Sequence, residues 1–447
     1  MRKRFKKAMS LIIAATLALS ATAGCANAKP NAEVSQGTSV APAAGEKIKL
    51  TLWHIQTTEP VKSIVQDSIE RFMTDNPKYE VTVVPVQNDN YKQKLTIAMS
   101  SGKTPDIYVS WTGGPMVEYI KSNHCADITE YMNKDNYKDK FLNAGIAQAT
   151  YNNKIYAVPV ENVAIAGFYY NKEIFAKYGL SEPKTLDELE AICEKLKSNN
   201  ITPFALANAT KWTGSMYFMY LAARYGGAQA FTDASSGKGS FESEPFQFAG
   251  SKIQEWVKKD YFNKGFNGMD EDSGQARQLL YTGKAAMDLM GSWYTATIGG
   301  ENKAFSSKLG FFAFPSITGK DANGKLVVGT VGDNFYSVAE ECKDKEGAFK
   351  AITYLLDDTA VKARTEAGKI VPFKNFTPTD DISKKVVKIV SAAPSIQLWY
   401  DQYLPPEVSQ VHQSTCQELF GLTKTPEQAD SELQTAMKTY LNKNPSN

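Results

Sequence analysis

The sequence predicts an α/β fold divided into two lobes, and three observations carry that prediction. The chain has 447 residues, more than one hydrophobic core organises, since single cores stop growing at about 250–300 residues. From Ile48 onward, runs with strand character alternate with runs of helical periodicity, the order that lays strands side by side with helices between them. Two later helices announce their starts with capping boxes, Thr185-Leu186-Asp187-Glu188 and Thr425-Pro426-Glu427-Gln428.

Taken in order, Ile48–Trp53 reads as a strand. Residues 61–75 read as a helix with the apolar stripe Ile64, Val65, Ile69, Phe72 and Met73, closed by Asn76-Pro77. Val81–Val84 is a second strand. Residues 91–100 form a second helix, stopped by Gly102 and Pro105, and Asp106–Ser110 is a third strand. Strands separated by crossover helices predict a mostly parallel sheet covered on both faces. The helix after Thr185 aligns Leu189, Ile192, Cys193 and Leu196 on one face. The helix after Thr425 has Pro426 at its first position and aligns Ala429, Leu433, Ala436, Met437, Tyr440 and Leu441. No repeat recurs at the spacing of a solenoid.

Composition narrows the function classes. With 43% apolar and 22% charged residues, the chain is neither disordered nor fibrous. Of the 50 basic residues, Arg2, Lys3, Arg4, Lys6 and Lys7 lie at the very start; without them 45 basic residues face 48 acidic ones, a net −3. A slightly acidic body without a basic block gives nucleic acid nothing to bind.

Residues 1–24 read as a secretion signal: the basic start precedes Leu11–Leu19, an apolar run too short to span a bilayer. Ala23-Gly24-Cys25 resembles a bacterial lipobox, in which Cys25 is diacylated and becomes the mature N-terminus. Thr22 stands where that motif usually has leucine. Residues 25–46, rich in Ala, Ser, Pro and Gly, cannot bury enough surface to fold and read as a tether roughly 25 Å long. Cys125, Cys193, Cys342 and Cys416 have no metal-ligand spacing, and a body this large does not need disulfides.

Catalytic signatures are missing. His54, His124 and His412 are scattered, and there is no nucleophile elbow, phosphate loop or dinucleotide fingerprint. No cofactor or metal is expected. Asp270-Glu271-Asp272-Ser273-Gly274 lacks the acidic ligands of a calcium loop and reads as a solvated helix start. What remains is a set of tryptophans beside hydrogen-bonding residues at the ends of elements: Trp53, Trp111, Trp212, Trp293 and Trp399. Trp256, inside an amphipathic helix, reads as core, and Trp53, within an apolar strand, leans the same way. Flat aromatics cover the C–H face of a sugar, while carboxylates and amides bind its hydroxyl rim. Ligands of parallel α/β sheets bind at strand carboxyl ends, so the set points to a carbohydrate site.

These segments resemble the family 1 extracellular solute-binding proteins of ABC importers, the maltose-binding-protein-like group. The likeness runs over residues 47–441. It rests on LTLWH at Leu50–His54, KLTIAMSSGKTPDIYVSW at Lys94–Trp111, KIYAVPVENVAIAGFYYNK at Lys154–Lys172, GKAAMDLMGSW at Gly283–Trp293 and GFFAFP at Gly310–Pro315. The resemblance implies a periplasmic-binding-protein-like fold with solute held in a cleft between lobes. Three hinge crossings fall near Val160-Glu161, Met290-Gly291 and Gly332-Asp333, giving a first lobe of 47–161 and 289–332 and a second of 162–288 and 333–447. It also implies the contacts His54, Gln56, Trp111, Glu161, Trp212, Trp293, Asp333, Asn334, Trp399, Asp401 and Gln402. WYDQYLPP at Trp399–Pro406 is similar to importers of plant-derived oligosaccharides. The implied protein is a monomeric, lipid-anchored receptor on the outer face of the cell membrane that hands its sugar to permease subunits. Two other readings stay open at this point: a secreted glycosidase using Glu161 and Asp401, and a ligand sensor for a membrane histidine kinase.

Overall fold

The computed structural model describes residues 46–445; the signal peptide, Cys25 and all of the tether before Glu46 lie outside the described residues. The first lobe opens with β1 (Ile48–His54), β2 (Tyr79–Pro85) and β3 (Ile107–Ser110). A hairpin of β4 (Thr150–Tyr151) and β5 (Lys154–Ile155) and the short β6 (Val158–Pro159) follow. The second lobe takes β7 (Val163–Asn171), β8 (Thr202–Ala205), β9 (Ala285–Gly291), β10 (Leu309–Phe312) and β11 (Val327–Val331). The chain returns to the first lobe for β12 (Phe335–Val338) and ends in the second with β13 (Ile396–Gln397).

Two sheets result, ordered β2-β1-β3-β12-β6 and β13-β11-β7-β9-β8, with β10 also paired to β7. Each has its own core. Leu52, Val65, Ile69, Phe72 and Tyr336 pack in the first, and Phe168, Phe204, Tyr217 and Trp256 in the second. The helical stripe of Val61–Asp75 faces inward as its periodicity requires, with Ile64, Val65, Ile69 and Phe72 buried. Both capping boxes form, Thr185 with Glu188 and Thr425 with Gln428. Cys125, Cys193, Cys342 and Cys416 are free and buried. No described helix is long and apolar enough to cross a membrane.

Three expectations are corrected. The sheets are mixed rather than mostly parallel: β1 runs parallel to β2 and β3, but β12 is antiparallel to β3 and β6. β7 is likewise antiparallel to β9, β10 and β11, because strands that arrive from the other lobe enter their sheet from the opposite end. Second, residues 289–332 belong to the second lobe, since β9 pairs with β7 and β8 and β11 pairs with β7. Residues from 333 rejoin the first lobe through β12. Third, Met290-Gly291 is therefore no crossing. The third crossing lies near Ile370, which joins the second core while Val371 joins the first.

The crossings are tied to one another. Gly332 N–H donates to the Asn162 carbonyl (3.1 Å), Glu161 N–H to the Asn334 carbonyl (3.3 Å) and Val163 N–H to the Ile370 carbonyl (2.8 Å). The side chain of Asn162 completes the knot, accepting from Ile370 N–H at 2.6 Å and donating to Ser292 Oγ at 2.9 Å.

Candidate ligand cleft

Between the lobes, above these crossings, a cleft is lined by Gln56, Trp111, Trp212, Trp293, Asp333, Asn334, Trp399, Asp401 and Gln402. The sequence motifs explain how several arrive there. β3 ends at Ser110 and delivers Trp111 at its carboxyl end. In Gly291-Ser292-Trp293 each residue has a separate task. A Cβ on Gly291 would strike the indole of Trp293, so glycine lets that ring lie against its own strand. Ser292 Oγ donates to the Val163 carbonyl at 2.7 Å, fixing the turn to the hinge. Trp293 then faces the cleft.

The indoles form a continuous surface. Trp293 meets Trp212 at 6.0 Å between centroids and 62°, and Trp399 at 6.0 Å and 64°, both the edge-to-face arrangement that aromatic quadrupoles favour. From the first lobe comes Trp111, braced by Tyr91 at 5.9 Å and 75°. Lys92 Nζ stands 4.8 Å over the Trp111 ring. Below, Gln56 Nε2 donates to Asn334 Oδ1 at 2.8 Å, bridging the loop after β1 to the second crossing.

Four buried polar atoms of cleft residues have no hydrogen-bond partner: Trp212 Nε1, Trp399 Nε1, Gln402 Oε1 and Glu271 Oε2. A buried polar atom left unpaired costs about 1–3 kcal/mol. Two donors and two acceptors among aromatic plates suit a hydroxylated solute.

Two expected contacts are corrected. His54 is buried behind the cleft, because along β1 it shares the inward parity of Leu50 and Leu52. Its Nδ1 accepts the Gln56 N–H at 3.1 Å, and burial pushes its pKa down to about 4, so it is a neutral support for Gln56. Glu161 is likewise behind the wall. Arg364 Nη1 donates to both carboxylate oxygens, at 2.9 and 2.8 Å, with Lys369 Nζ 3.7 Å away. Burial alone would raise its pKa, but Arg364 and Lys369 outweigh that and hold it below the ordinary value. A carboxylate locked in this way and shut off from the cleft cannot serve as acid or nucleophile, which removes the Glu161–Asp401 glycosidase pair.

Sequence reasoning missed a charged pole in the second lobe. Glu271 is buried rather than solvated and is bonded by Arg277, whose other nitrogens grip Glu301 at 3.0 and 2.9 Å. Burial pushes the Glu271 carboxyl up against the pull of Arg277. Beside it, Asp272 and Asp270 approach Asp89 of the first lobe, all three carboxylates lying within 4.8 Å of one another. Lys369 and Lys92 complete the cleft's charged groups. Only the acidic run at Asp270–Asp272 signalled any of this; nothing near Arg277 or Lys369 in the sequence did.

The lobes are closed on each other. A Cβ at Gly113 would collide with the carbonyl oxygen of Gln402, and one at Gly114 with that of Leu404. Gly300 likewise abuts the carbonyl of Glu59.

Comparisons with known proteins fit this geometry. Residues 56–362 match the family model described as bacterial extracellular solute-binding protein. An uncharacterised ABC transporter extracellular-binding protein of Pyrococcus horikoshii is 30% identical over 297 residues, which span 64% of each chain. A multiple sugar-binding protein of Streptococcus mutans is 26% identical over 318 residues, covering 70% of this chain and 73% of that one. Among solved structures, one from work on xylan utilisation by the thermophile Caldanaerobius polysaccharolyticus superposes with a TM-score of 0.82 at 30% identity, covering 87% of this chain and 99% of the other. A chitin oligosaccharide binding protein gives 0.79 at 26% identity, covering 88% and 99%. With a family model matched across most of its length and the two-lobed fold of these structures, the chain belongs to the bacterial extracellular solute-binding proteins, a non-catalytic family.

Proposed function

We infer that this protein is the sugar receptor of an ABC importer and captures an uncharged oligosaccharide by hinge closure. The observation that carries the reading is the cleft itself: Trp111 from one lobe faces Trp212, Trp293 and Trp399 from the other, among four polar atoms lacking partners. A solute touching both lobes adds contacts only when they close, and so shifts the population toward the closed form. Gln56, Asp333, Asn334, Asp401 and Gln402 supply the hydroxyl contacts, and the four indoles cover two or more sugar rings.

The names of the similar proteins support the substrate class: multiple sugars, xylan utilisation and chitin oligosaccharide. Permease subunits are the partner, and two acyl chains on Cys25 hold the receptor at the membrane, as stable anchoring requires. A thermal-shift and calorimetry panel of xylo-, chito- and malto-oligosaccharides tests the reading. Saturable binding without products is the expected result, and no binding by any sugar would overturn it. Mass spectrometry of the mature protein tests for diacylglycerol at Cys25.

A further inference from the structure

The cations that line the cleft are all engaged, while some of its carboxylates are not. Lys92 meets Asp401 at 3.5 Å, and Lys369 stands 3.7 Å from Glu161. Arg277 is shared between Glu271 and Glu301. Asp272 lines the cleft beside Glu271, and no cation of the described residues comes within 4.0 Å of its carboxylate. Glu271 is more than nine-tenths buried. One of its carboxylate oxygens accepts from Arg277, and the other, Oε2, has no partner.

Closure adds to this excess of negative charge. Asp89, on the helix Asn88–Ser100 of the first lobe, meets Asp270 and Asp272 of the second, the three carboxylates lying within 4.8 Å of one another. Like charges at that separation repel, so a neutral sugar closes the lobes against an opposing force. What the pole lacks is a positive charge. Trp212 and Trp293 stand in the same cleft, and indole faces attract cations as well.

We propose that Glu271 and Asp272 form an ammonium subsite, so that the receptor takes oligosaccharides bearing a free amine in preference to their hydroxylated counterparts. This rests on the sugar reading of the cleft and widens it from uncharged chains to amino sugars. An ammonium carries three donors, which suit Glu271 Oε2 and the Asp272 carboxylate. Its charge offsets the approach of Asp89. Arg277 holds Glu271 by the other oxygen and, gripped by Glu301 at 3.0 and 2.9 Å, has no charge to spare. A ring that places a carboxylate at this wall meets the same acids and is rejected.

Calorimetry with four trisaccharides tests this, at about pH 6, where an amine is protonated. They are the β-1,4-linked glucosamine trimer, cellotriose, xylotriose and chitotriose; cellotriose has the linkage of the first and a hydroxyl in place of each amine. The glucosamine trimer is expected to bind roughly tenfold tighter than cellotriose in 50 mM salt, as a charge-assisted hydrogen bond provides. The difference narrows in 500 mM salt as screening grows. Asp272→Asn, at a half-buried position, should bring the two affinities together, and Glu271→Gln should do so in its folded fraction. The proposal alone is overturned if xylotriose or chitotriose binds while the glucosamine trimer binds no tighter than cellotriose. A preference undiminished in either variant overturns it too. Failure of all four sugars overturns it together with the sugar reading.

Discussion

Lys92 and Asp401 meet across the closed lobes, Nζ to carboxylate oxygen at 3.5 Å, while the same ammonium caps the Trp111 ring at 4.8 Å. One cation thereby joins a helix of the first lobe to the segment of the second that carries Trp399 and Gln402. The Lys92 side chain is 39% exposed, so water screens the pair and its contribution is about 0.5–1 kcal/mol. Lys92→Met is expected to weaken sugar affinity two- to fivefold and to flatten its salt dependence between 50 and 500 mM (roughly one decade, over which surface pairs are progressively screened). Calorimetry at the two salt concentrations checks both effects.

Trp293 is the central plate, in contact with both Trp212 and Trp399. Trp293→Ala is expected to cost about 1–3 kcal/mol of sugar affinity, the range for a buried aromatic anchor. Trp256 is the contrast. It is fully buried in the second core, with Nε1 donating to Glu190 at 2.9 Å. Trp256→Ala should cost about 3–5 kcal/mol of folding stability and leave the affinity of the folded fraction unchanged. Denaturation and titration of both variants separate the two roles.

These two tryptophans also show what the sequence could tell. Trp256 sits in a helix with an apolar face, so its burial follows from periodicity. Trp111, Trp212, Trp293 and Trp399 stand at element boundaries beside polar residues, and they do share the cleft. His54 and Glu161 were misplaced because a motif locates a residue along the chain but not the side its side chain takes. In β1 the parity of Leu50 and Leu52 carried that information. The lobe boundaries were illegible for a different reason: β9 and β12 are both short apolar strands, and which sheet each joins depends on pairings with residues more than a hundred positions away. Lys369 and Arg277 reach the cleft through such long-range packing alone.

Closure itself makes a prediction. Gly114 opens the helix Gly114–Lys121 and lies against the carbonyl of Leu404 only when the lobes meet. In an open protein, alanine at a helical position is neutral or slightly favourable. Gly114→Ala is thus expected to leave the melting temperature without sugar unchanged or raised, while weakening sugar affinity at least tenfold. Small-angle scattering with saturating sugar should show the variant staying open where the natural protein closes. Normal closure would mean that the Leu404–Pro405 segment moves aside.

Glu161 supplies the last prediction, about stability. Its carboxylate and the Arg364 guanidinium are both fully buried, with Lys369 close by. Removing one partner of such a pair leaves an uncompensated buried charge, costing about 3–5 kcal/mol, so Glu161→Gln should unfold at markedly lower denaturant. The pH dependence follows from the same contacts. The folded protein holds this carboxyl below its ordinary value. Its stabilisation is therefore complete above the unfolded-state value near 4.3 and is lost as pH falls through the lower folded one. Urea denaturation of the natural protein should show stability dropping steeply below about pH 4, and Glu161→Gln should lack that part of the fall. Because the pair sits at the first crossing, the variant's sugar affinity should decline as well, through a loosened hinge. Glu161→Asp, which keeps the charge but shortens the reach, should recover the acid limb in part.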